Sequence, residues 1–120
     1  MDNIQIIKPK VHGILDYGVA AALILSPHLF GFKDNKSAAW IVRIIGIMIL
    51  AQALMTDNET GMIKAIPFSS HLAMDYVIGS FLIASPFLFD FSDEEPNTWV
   101  PHVMVGIMIL TETTLTQSPN

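Results

Sequence analysis

Two His-x-x-x-Asp pairs carry the polar chemistry of this sequence: His12 with Asp16, and His71 with Asp75. A spacing of four residues puts both side chains of a pair on one face of an α-helix, one turn apart. Imidazole and carboxylate held that close suit three tasks. They can bind a divalent metal such as Zn, Fe or Mn, they can relay protons, and two histidines can ligate a haem from either side. The plainer task is structural: Asp16 accepts a hydrogen bond from His12, or from a histidine or tyrosine of the other pair, with Tyr17 and Tyr76 available to the same network. Cysteine is absent, which excludes thiolate ligands, thiol nucleophiles and disulfides.

The elements that position these residues follow from an internal repeat. Residues 12–32 align without gaps to residues 71–91, a shift of 59, with identity at ten of the 21 positions. Trp40 matches Trp99 at the same shift, and GIMIL at 46–50 returns at 106–110 after one inserted residue. Each copy holds two apolar segments, at about 11–30 and 38–55 in the first and about 70–89 and 98–115 in the second. Each is near the roughly 20 residues that cross a bilayer core as a helix. Short polar connections at 33–36 and 93–97 make successive helices antiparallel neighbours. The expected fold is all-α: a four-helix transmembrane bundle built from two tandem helical hairpins in parallel orientation. It forms a single membrane domain over 1–120, with repeat one at about 8–56, a linker at about 57–69 and repeat two at about 70–115.

Composition agrees with a lipid-facing chain. Hydrophobic residues make up 52% and charged residues 14%, against roughly 25% charged in a soluble domain. Four helices in water need more charge than that to cover them. A net charge of −5 with no Lys/Arg cluster excludes nucleic acid as a partner. Lys8 and Lys10 ahead of an apolar run resemble a secretion signal, but the run recurs in mid-chain, so a retained helix is expected. Lysines and arginine divide evenly between the two membrane faces, and the acidic loop at 93–95 tips the expected orientation towards termini in the cytoplasm.

Depth along the helices then assembles the polar residues. Helices two and four run opposite to one and three, so Gln52 and Glu112, in matching places, return to the membrane side where the His-Asp pairs lie. His12, Asp16, His71, Asp75 and Glu112 form the candidate metal set, in a layer near the terminal face. Ionisable groups inside a membrane are costly and face a bundle interior, a partner or water. Ser26-Pro27 and Ser85-Pro86 predict a kink or helix end. The phenylalanines after them, with Trp40 and Trp99, fit an interfacial belt or packing of the loop on the helices. His28 and His102 are expected at that interface, Arg43 snorkelling or pairing with a loop acid, and Gly46 and Gly106 at close helix contacts.

The chain resembles the SPW repeat family of small bacterial membrane proteins over nearly its whole length. The resemblance rests on HGILDY and HLAMDY, on SPHLFGF and SPFLFDF, and on TDNETG at 56–61 followed by Ile66-Pro67. The family's name implies tryptophan after Ser-Pro, where this chain has His28 and Phe87. The resemblance implies two helices per repeat and a bacterial inner membrane, and supplies no reaction or cofactor. The reading is therefore a membrane protein in a structural or partner-contacting role, in contact with the lipid bilayer and a homo-oligomer or membrane protein partner. The default cofactor is none. The alternative is a metal- or haem-binding redox protein or enzyme using the layer; a proton-coupled carrier ranks last, because four short spans leave little room for a path.

Overall fold

The computed structural model describes residues 4–118, in which four helices run in the order α1 (Pro9–Leu29), α2 (Lys36–Met55), α3 (Phe68–Leu88) and α4 (Pro96–Leu115). Among the described residues there is no strand beyond two isolated bridges. The helices begin about two residues earlier than the apolar runs do. Pro9 and Pro96 occupy first helical positions, where a missing N–H leaves nothing unsatisfied, and Asn35 caps α2 by accepting from the Ala38 N–H at 3.1 Å.

The helices run two residues past each Ser-Pro pair and end there, so Pro27 and Pro86 sit inside the last turn. Proline at position i leaves the carbonyl of residue i−4 without its donor. For Pro27 that carbonyl belongs to Leu23, and the Ser26 hydroxyl donates to it at 2.8 Å. Ser85 does the same for Leu82 ahead of Pro86, again at 2.8 Å. The pair is thus self-repairing. Both helices then end alike: Phe32 N–H returns to Pro27 O at 2.9 Å and Phe91 N–H to Pro86 O at 2.8 Å, across left-handed Gly31 and Asp90. Ser26→Ala or Ser85→Ala should each cost about 1–3 kcal/mol, the price of a buried unpaired carbonyl, read as earlier thermal unfolding in detergent. No loss in either variant would contradict this role.

α1 packs mainly against α2, and α3 against α4, with sparser contact between the pairs. Small residues set these approaches. A Cβ on Gly46 would lie 2.7 Å from Ile24 Cγ1, and one on Gly106 would lie 2.7 Å from the Gly79 carbonyl oxygen. The core between the helices is Leu23, Val42, Ile45, Ile49, Ile78, Leu82 and Ile109, with Phe32 and Phe91 folded in from the loops. The aromatics at that end divide their roles. Phe32 and Phe91 plug the bundle, whereas Phe30, Phe87, Phe89 and Trp40 point outward. Arg43 lies over the Trp40 ring at 5.5 Å.

Polarity is arranged inside out. Ile14 and Leu25 on α1, Ile44 and Ile47 on α2, Val77 on α3 and Ile107 and Met108 on α4 are exposed, while His12, Asp16, His71, Asp75, Ser85 and His102 are buried. Such extended exposed apolar surface suits lipid rather than water. By length and composition, α2 and α3 are apolar enough to cross a membrane.

Candidate functional site

His12 and Asp16 enter from the start of α1, His71 and Asp75 from the start of α3, and all four are buried. Each histidine reaches the aspartate of the other sequence copy more closely than its own. His12 Nε2 lies 2.9 Å from Asp75 Oδ2 and 3.4 Å from Asp16 Oδ1. His71 Nε2 lies 2.9 Å from Asp16 Oδ2 and 3.3 Å from Asp75 Oδ2. The first contact is an aligned hydrogen bond. The 2.9 Å approach of His71 to Asp16 lacks hydrogen-bond alignment, so both atoms face the centre of the cluster without a hydrogen-bond partner.

The outer ring nitrogens are held by two threonines at the ends of α2 and α4. Thr56 Oγ1 donates to Gln52 O at 2.5 Å and lies 2.6 Å from His71 Nδ1. Thr116 Oγ1 donates to Glu112 O at 2.6 Å and lies 2.8 Å from His12 Nδ1. With each hydroxyl proton committed to a backbone carbonyl, the hydroxyl oxygen can only accept from the imidazole. Both Nδ1 atoms therefore carry hydrogen, and both Nε2 atoms are left for the centre. The threonines escape a reading based on ionisable groups alone. The offset of 60 that pairs Gln52 with Glu112 also pairs Thr56 with Thr116, and that was the signal for them.

Gln52 joins the layer, its amide donating to Asp75 Oδ1 at 3.0 Å, and Thr113 approaches Asp75 Oδ2 at 3.5 Å. Glu112, in the place matching Gln52, comes within 3.9 Å of His12 Nδ1, and its Oε2 is buried with no hydrogen-bond partner among the described residues. All five candidate residues thus lie together. The tyrosines do not: Tyr17 donates to Thr60 O at 2.6 Å, and Tyr76 meets Thr114 at 3.1 Å on an exposed face. Haem does not fit between the histidines. Their rings meet edge to face with centroids 5.3 Å apart, and Asp75 Oδ2 touches both Nε2 atoms, so no slot for a porphyrin separates them.

Backbone straps close the layer. Ile7 N–H donates to Leu115 O at 2.9 Å and Gln117 N–H to Ile7 O at 2.8 Å; Ile66 and Asp57 repeat the pattern at 2.8 and 2.7 Å after α2. The linker adds a cover that exists once. A Cβ on Gly13 would overlap Thr60 Oγ1 and lie 3.0 Å from Asn58 Nδ2, so the linker rests directly on α1 there. At the loop end His102 is a correction to the interfacial expectation. It is fully buried beside Phe32 and Phe91, at 5.4 and 4.7 Å, with Nε2 2.9 Å from Ala38 O. A polar tip that finds a buried carbonyl need not stay at the surface.

The chain is all-helical among its described residues, with apolar outer faces, a buried polar layer and two helices long and apolar enough to cross a membrane. The SPW repeat domain model matches residues 10–116, and the chain belongs to the SPW repeat family. No curated protein and no solved structure matches it.

Proposed function

We propose that this chain is a four-span integral membrane protein of the bacterial inner membrane. Its two tandem hairpins stand parallel, about a pseudo-two-fold axis along the membrane normal, and are clasped by the buried His-Asp layer. Its role is structural or partner-contacting rather than enzymatic. The observation that carries this reading is the crossed pairing: His12 is bonded to Asp75 and His71 faces Asp16, so each hairpin completes the other's polar group. Sparse contact between the hairpins elsewhere gives the clasp its importance. The alternative of pure lipid-facing packing has no use for four ionisable side chains in the interior, which are expensive there unless mutually satisfied.

Because the sequence has no cysteine, single-cysteine variants report sidedness cleanly. Four spans predict that K10C and E59C react with an impermeant thiol reagent from one side of the membrane, cytoplasmic on this reading, and that D34C and D93C react from the other. If only α2 and α3 crossed, K10C would share its side with D34C, and the four-span reading would fail. The clasp itself is tested by neutralising its carboxylates in metal-free protein, where stability must fall.

A further inference from the structure

From the geometry we infer that the clasp encloses a binding site for one divalent transition-metal ion, ligated by His12 Nε2, His71 Nε2, Asp16 and Asp75. It rests on the reading of this layer as the junction of the two hairpins. The four ligand atoms lie within 4.8 Å of one another, and all four residues are buried. Bonds of 2.0–2.1 Å in a tetrahedral site separate neighbouring ligand atoms by about 3.3 Å. Asp75 Oδ2 lies 2.9 and 3.3 Å from the two Nε2 atoms. Asp16 offers Oδ2 at 2.9 Å to His71 and its other oxygen, Oδ1, at 3.4 Å to His12, so along these contacts an ion needs shifts of a few tenths of an ångström. His71 Nε2 and Asp16 Oδ2 meet at 2.9 Å without hydrogen-bond alignment although their residues are almost wholly buried.

The surroundings are those of a ligating site. Thr56 and Thr116 fix both imidazoles with Nδ1–H outward, which presents each Nε2 lone pair to the centre. Gln52 holds Asp75 by Oδ1, while Oδ2 faces the two histidines with Thr113 at 3.5 Å beside it. Two carboxylates balance a divalent charge, so the occupied centre is neutral in a low-dielectric setting. Glu112 lies beside His12 and also lines an open groove of about 290 Å³ with Ile7, Leu15, Thr111 and Leu115. Without metal, each close Nε2···O contact requires a proton on the imidazole nitrogen, since bare lone pairs would repel. Binding therefore exchanges one M²⁺ for those protons: two Nε2–H···O contacts are lost, Nε2 and carboxylate bonds to the metal form, and about two protons leave to solvent.

The test titrates chelator-treated full-length protein in detergent with Co²⁺ and Zn²⁺. Saturation at one ion per chain, visible Co²⁺ bands of four- or five-coordinate intensity, and release of about two protons are expected. His12→Gln with His71→Gln should abolish the signal. If that variant fails to fold, Thr56→Val and Thr116→Val keep all four ligands and should weaken binding about 10–100-fold through loss of imidazole orientation. Absence of saturable binding to the folded wild-type protein overturns the site, as does binding unchanged in folded ligand or threonine variants. The clasp is judged separately, by the stability of metal-free carboxylate variants. Failure of one reading is thereby distinguishable from failure of the other.

Discussion

Asp16→Asn combined with Asp75→Asn should lower the stability of the metal-free protein by about 3–5 kcal/mol, the usual cost of breaking a buried ionic pair from one side. Asn keeps the shape but offers one neutral acceptor where the carboxylate offered two charged ones. The two sites are unequal. Asp75 receives His12 at 2.9 Å, Gln52 at 3.0 Å and Thr113 at 3.5 Å, whereas Asp16 has the two histidines alone among these. Asp75→Asn should therefore cost more than Asp16→Asn. Thermal unfolding in detergent, followed by circular dichroism with chelator present, measures both. Equal and negligible losses would mean that the hairpins hold together without the layer.

Gly106→Leu should cost about 3 kcal/mol or more, the upper end of what overpacking does. Even one Cβ at position 106 would stand 2.7 Å from the Gly79 carbonyl and 3.1 Å from the Ile83 nitrogen, and backbone atoms cannot swing aside as a side-chain end can. At Gly46 the nearest atom is instead Ile24 Cγ1, which can rotate, with the Ala20 carbonyl at 3.0 Å. Alanine substitution should accordingly be worse at 106 than at 46, even though alanine favours helix at both by up to about 1 kcal/mol. The comparison of the two alanine variants in one detergent checks the asymmetry. A larger loss at 46 would show that α3 and α4 do not approach in this way.

Much of the layer was legible because two periodicities point to it. Four-residue spacing joins His12 to Asp16 and His71 to Asp75, and the shift of 59 places both pairs at one depth. Neither periodicity says which histidine meets which aspartate. That crossing depends on how one helix pair is set against the other, which is a tertiary property. Thr56 and Thr116 stand at a matching offset, but a hydroxyl announces no partner until its acceptor is placed. His102 has no histidine counterpart in the first copy, and its burial follows from Phe32 and Phe91 folding inward from the loops. Gly13 in place of a second leucine becomes intelligible only with the linker lying on it, because the linker occurs once while the helices occur twice. The serine of each Ser-Pro pair shows a further gap: proline predicts a lost hydrogen bond, and the residue before it supplies the repair.

The central claim is that the hairpins are joined by crossed His-Asp pairing, and a double-mutant cycle between His12→Gln and Asp75→Asn measures it directly. In metal-free protein the coupling should be about 1–3 kcal/mol and larger than that between His12→Gln and Asp16→Asn, following the 2.9 and 3.4 Å separations. Coupling to Asp75 within about 0.5 kcal/mol of zero, or a larger coupling to Asp16, would contradict the account.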